Sequence, residues 1–97
     1  MQRRPVIYNK TMTLADTEYS QELPAWVKSF SIHCRGSYDI KFSYETGKVA
    51  LGTSPYLTIP ADTEGVEENL LGGGDVPMTI YFACSQAGQI AEITAWS

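Results

Sequence analysis

The sequence is poor in the side chains that most often carry chemistry: one histidine, two cysteines and seven basic residues in 97 positions. With His33 alone, any Ser-His-Asp or Cys-His arrangement would have to be built around that one ring. Cys34 and Cys84 share no Cys-x-x-Cys spacing, so there is neither a zinc-ligand set nor a dense disulfide framework. One bridge between them is geometrically open if their strands are neighbours. Without a secretory signal, reduced thiols packed as small apolar groups are expected instead. No apolar run approaches the ~18–20 residues of a membrane span, and no apolar segment of a signal peptide follows Met1–Pro5. No membrane contact is therefore expected. The net charge of −4 argues against a dedicated nucleic-acid binder.

What is present suits a compact domain. The chain is 43% hydrophobic and 11% aromatic, enough to form a core and too much for intrinsic disorder. At this length one domain is expected, with a radius of gyration of ~12–13 Å. Charge is split along the chain. The first 48 residues hold every Lys and Arg against five acidic residues, a net of +2, and the remaining 49 hold six acidic residues and no base, a net of −6. Such a split favours oriented docking or self-association if folding keeps the halves apart, and cancels if folding interleaves them.

Period-two alternation runs through most of the chain. Phe30, Ile32 and Cys34 alternate with Ser31 and His33, and Ile40, Phe42 and Tyr44 alternate with Lys41 and Ser43. The Arg35-Gly36-Ser37 turn between these runs predicts a β-hairpin. Met78, Ile80, Phe82 and Cys84 form a third clean run. Glu18–Leu23, Pro55–Pro60 (Leu57 and Ile59 on one side) and Gln89–Trp96 (Ile90, Ile93 and Trp96 apolar) read as further strands. Thr46–Ser54 reads as a loop, Ala61–Asn69 as a long acidic loop with Val66 toward the core, and Gly72-Gly73-Gly74 as a turn. No amphipathic helix is visible. The expected fold is all-β: a single small β-sandwich or jelly-roll-like domain of about seven to eight antiparallel strands over residues 14–97. Residues 1–13 would form an extended N-terminal arm or the first strand.

No catalytic constellation stands out. His33 and Cys34 are adjacent in a strand and point to opposite faces, so they cannot pair there. The acidic stretch Asp62–Asn69 lacks the spacing of a calcium loop, and no Lys-Ser/Thr follows the glycine triplet as a phosphate loop requires. No cofactor or metal is expected. Trp26, Tyr38, Tyr44, Tyr56, Tyr81 and Trp96 could together form a stacking platform for sugar, although strand aromatics more often serve a core or cross-strand role. The feature best suited to function is the β-prone N-terminal segment. Its Arg3, Arg4, Val6, Ile7, Tyr8 and Lys10 are the candidate partner-binding residues, able to add a strand to a neighbour's sheet edge.

The phrases Thr17-Glu18-Tyr19-Ser20, Leu23-Pro24, Phe30–Arg35-Gly36-Ser37, Ile40–Tyr44, Met78–Phe82, Ala87-Gly88 and Ile90–Trp96 give the chain a recognisable rhythm. Together they resemble small structural proteins encoded beside the capsid genes of tailed bacteriophages, some of them head-decoration or cement proteins. The resemblance implies a non-enzymatic virion protein that binds the outside of the major capsid protein shell and stabilises it. It implies assembly as a dimer or trimer and no catalytic residues. A neck, tail or fibre component, or a carbohydrate-binding module for host-surface glycans, is the alternative.

Overall fold

The computed structural model describes residues 5–67 and 77–96, Glu67 by its backbone alone. Eight strands are present and no helix among the described residues. They are β1 (Val6–Met12), β2 (Tyr19–Leu23), β3 (Ser29–Cys34), β4 (Ile40–Ser43), β5 (Leu57–Ile59), β6 (Gly65–Glu67), β7 (Met78–Cys84) and β8 (Gln89–Trp96). They form two four-stranded antiparallel sheets, ordered β1-β8-β3-β6 and β2-β7-β4-β5. We call these sheets A and B. The first strand pairs with the last, the second with the second-last, and so inward to β4 with β5. One long antiparallel ribbon rolled up on itself has this order, which is the jelly-roll form of the β-sandwich. The radius of gyration is 12.9 Å.

The core lies between the sheets and is supplied by alternate residues, as the pleat requires. Sheet A contributes Met12, Phe30, Ile32, Ala91, Ile93 and Ala95. Sheet B contributes Leu23, Ile40, Phe42, Ile59, Ile80 and Phe82. Phe30 of sheet A meets Phe42 of sheet B edge-to-face, with ring centroids 6.2 Å apart and planes at 86°. Two further core residues come from connections rather than strands: Val27, before β3, and Val49, in the long β4–β5 loop.

The expected hairpin between Ser29–Cys34 and Ile40–Ser43 does not form. β3 pairs with β8 and β6, whereas β4 pairs with β7 and β5, so Arg35–Asp39 carries the chain from one sheet to the other. Both strands are apolar on one face and each must bury that face. Placed in opposite sheets, Phe30, Ile32 and Cys34 share one core with Ile40 and Phe42, and Phe30 meets Phe42 directly.

Residues 61–69 also depart from expectation, because 65–67 form β6 at the edge of sheet A and Val66 faces outward, 47% exposed. The core-facing position is Gly65. A Cβ there would lie 2.7 Å from Ile59 Cδ1 and 2.9 Å from Ile59 Cγ1, so the absence of a side chain is what lets β6 close against sheet B. In β8 the core residues are Ala91, Ile93 and Ala95, which leaves Ile90 and Trp96 on the opposite face. Leu57 shares its side of β5 with Ile59 but sits at the margin, 52% exposed. The glycine triplet 72–74 lies outside the described residues.

Every strand pair joins one strand from the basic half of the chain to one from the acidic half. The rolled ribbon therefore cancels much of the charge split in the sheet interiors. At the outer face of sheet A, Arg35 after β3 bonds Glu92 of β8.

Candidate functional site

Three places gather side chains with chemical capacity. The first is an ionic cluster on the outer face of sheet A. His33 and Glu92 are direct cross-strand neighbours on β3 and β8, and His33 Nε2 lies 2.7 Å from Glu92 Oε1. Arg35 Nε donates to the other oxygen, Glu92 Oε2, at 2.9 Å. Arg35 first, and then His33, hold the Glu92 carboxyl below its ordinary range. On its far side the His33 ring approaches the β5–β6 connection, where Nδ1 is 3.4 Å from Glu64 Oε2. That nitrogen is shielded from solvent and makes no hydrogen bond.

A shallow depression of about 380 Å³ adjoins the cluster, lined by His33, Cys34, Asp62, Thr63 and Glu64. Its hydroxyl is not available to the histidine, because Thr63 Oγ1 donates to the Pro60 carbonyl at 2.6 Å. Asp62 accepts a bond from Ser37 Oγ at 2.8 Å. Cys34 turns the other way, into the core, where burial is the main cause that pushes its thiol pKa up, away from the reactive thiolate form. Cys34 and Cys84 are both buried and unbridged. Among the described residues no three His, Cys, Asp or Glu side chains converge in a geometry that could hold a metal ion.

The second place is a groove of about 280 Å³ at the β4–β5 end of sheet B, lined by Phe42, Ser43, Tyr44, Glu45, Pro55, Tyr56 and Leu57. Ser43 Oγ ties its two sides together. It donates to the Pro55 carbonyl at 2.9 Å and accepts from the Glu45 N–H at 3.1 Å. The Tyr44 ring is held nearly perpendicular to Phe30 and Phe42, at 6.4 and 6.0 Å. Of the six aromatics considered as a stacking platform, Tyr44 and Tyr56 share this groove. Trp26 packs against the core, Trp96 lies on the outer face of sheet A, Tyr81 lies on β7 between Ser20 and Ser43 with its side chain away from Ile80 and Phe82, and Tyr38 is exposed within the Arg35–Asp39 crossing.

The third place is the free edge of β1. Of the candidate partner-binding residues, Arg3 and Arg4 lie outside the described residues, and Val6, Ile7, Tyr8 and Lys10 all fall on β1. β1 pairs with β8 along its whole length, Val6↔Ala95 through Met12↔Gln89. Residues 6–12 are thus a strand of the sandwich itself. Among the described residues no strand lies beside the opposite edge of β1. Val6 and Tyr8 are half-buried, Tyr8 packing against the core, while Ile7 points outward and is 69% exposed. Lys10 is on the core-facing side of the pleat, opposite Ala91, but is exposed at the open margin of the sandwich. Strand propensity made β1 legible in the sequence. The ionic cluster was not legible, because the register that sets Glu92 beside His33 depends on residues 59 positions apart.

No family model, curated protein or solved structure matches the chain. No helix among the described residues is long and apolar enough to cross a membrane.

Proposed function

We propose that the protein is a non-enzymatic structural component of a virion, a decoration or cement protein that joins an ordered shell of the major capsid protein. The observation that carries this reading is the open edge of β1. A seven-residue strand with an exposed isoleucine at the margin of a small, regular sandwich is suited to lateral joining by strand addition. The basic residues Arg3 and Arg4 precede that strand in the sequence. The jelly roll is used in viral capsids, but also in lectins and cupins, so the fold by itself does not select the role. The chemistry at His33 supports a structural role over a catalytic one: the histidine is committed to carboxylates, and the nearby hydroxyls of Thr63 and Ser37 are committed elsewhere. Many identical weak contacts on a lattice add up through avidity, so a single unit needs no large interface.

Quantitative mass spectrometry of purified intact virions tests the reading. A copy number close to that of the major capsid protein is the expected result. A handful of copies would move the protein to the neck, tail or fibre, and its absence from virions would overturn the proposal.

A further inference from the structure

The two edges of sheet A are complementary to each other. We propose that copies of this chain join head to tail, the β1 edge of one copy pairing with the β6 edge of the next. This inference deepens the reading of β1 as a joining edge by naming what it joins, and it can be tested without any shell.

Strand direction is the first support. Sheet A has four strands and every neighbouring pair is antiparallel, so β1 and β6 run in opposite directions. A second copy, turned about an axis parallel to the strands, keeps its own strand directions. Its β1 therefore meets β6 of the first copy antiparallel, and the sheet continues without a change of pattern.

Side-chain placement is the second. Direct cross-strand partners share a face, and the register makes one outer row of Ile7, Thr94, Ser31 and Val66. The two ends of that row are exposed aliphatic side chains, Ile7 at 69% and Val66 at 47%. Head-to-tail joining in the register that sets Val66 opposite Ile7 of the next copy covers both and extends the row.

Charge is the third. Because every pairing inside the roll joins a basic-half strand to an acidic-half strand, the sheet ends on one of each. β1 carries Lys10 and no acidic residue, while Asp62 and Glu64 lead into β6. In the Val66–Ile7 register Lys10 falls opposite Thr63, which lies between Asp62 and Glu64 along the chain. Pairing of β1 with another β1 would instead bring lysines together, and β6 with β6 would bring carboxylates together. The same charges that favour the mixed junction thus disfavour both like junctions. A contact between two different edges is heterologous, so it repeats into a ring where the rotation closes and into a filament where it does not.

Light scattering coupled to size exclusion, with native mass spectrometry of the full chain up to about 1 mM, where even a millimolar contact is populated, reads the assembly. Expected is a concentration-dependent species larger than a dimer. Ile7→Asp and Val66→Asp change exposed positions and should each remain folded by circular dichroism while becoming monomeric. An equimolar mixture of the two should form a heterodimer, because each variant keeps one sound edge. Wild-type protein that stays monomeric, self-association retained in Val66→Asp, or a mixture that forms no heterodimer would each overturn the head-to-tail junction. None of these outcomes depends on the virion copy number, so this junction and the shell reading fail separately.

Discussion

Replacing Phe82 by alanine tests the core assignment on which the rest depends. Phe82 is fully buried near the middle of sheet B, on β7 between Tyr19 of β2 and Phe42 of β4. Its ring faces sheet A and belongs to the same cluster as Phe30, Ile80 and Ile93. Truncation removes that apolar area and leaves a cavity whose walls are held by ladder bonds on both sides, which limits collapse. A loss of about 3–5 kcal/mol is expected for a phenylalanine at such a site. A domain of this size has about 5–15 kcal/mol in total, so the variant should be folded but close to its limit at 25 °C. Urea unfolding followed by tryptophan fluorescence measures it: with a slope of about 1–3 kcal/mol/M, the midpoint should fall by at least about 1 M. Leu57→Ala is the control, since Leu57 lies opposite Phe42 on the other side but is half-exposed. It should cost less than about 1 kcal/mol. If Phe82→Ala also costs less than about 1 kcal/mol, the facing of β7, and with it the packing between the two sheets, is wrong.

Other outcomes follow from single residues. Gly65→Val should cost about 1–3 kcal/mol by overpacking, because its Cβ alone meets Ile59 below 3 Å, whereas Gly47→Ala meets nothing and should cost only the strain of its positive φ. A heat-unfolding series comparing the two separates them, and equal losses would show that β6 is not pressed against Ile59. Because Glu92 has its carboxyl lowered in the fold, its pairing stabilises the protein above the ordinary glutamate value of 4.5 and the benefit is lost as pH falls through the lowered value. Glu92→Gln should therefore flatten the acid limb of the stability-pH curve, and an unchanged limb would remove Arg35 and His33 as the cause. Cys34 and Cys84 should not react with a thiol reagent in the native protein and should both titrate in denaturant, and rapid native labelling would contradict their burial. Removing residues 1–4 should weaken attachment to shells and leave the melting temperature within a few degrees. Removing residues 1–10, by contrast, takes most of β1 from its partner β8 and should unfold the sandwich.

The strands were legible in the sequence where alternation was strict: Phe30–Cys34, Ile40–Phe42 and Met78–Cys84 all bury the expected side. Strand partners were not legible. A turn such as Arg35-Gly36-Ser37 serves equally for a hairpin or for a crossing between sheets, and only the need to cover two apolar faces decides between them. Gly65 hid β6, since glycine and glutamates weaken strand propensity, and the demand for a missing side chain at that point comes from the way Ile59 packs against it, which only the folded arrangement of β5 and β6 reveals. In β8 the small residues Ala91 and Ala95 face the core with Ile93, as period two selects, while the larger Ile90 and Trp96 lie on the other face.

The pairing of first strand with last also governs when the protein can fold. β8 lies between β1 and β3 in sheet A, so β1 has no partner among the described strands until Gln89–Trp96 has been synthesised, whereas β3 can already pair with β6. At about 5–20 residues per second of synthesis, β1 waits several seconds unpaired with its isoleucine and valine exposed. Local contacts cannot hold it in the meantime, and topologies this rich in distant pairings fold on the millisecond-to-second scale. The basic leader and Lys10 therefore have a use before any assembly exists, keeping a waiting, β-prone segment from pairing with the same segment of another nascent chain.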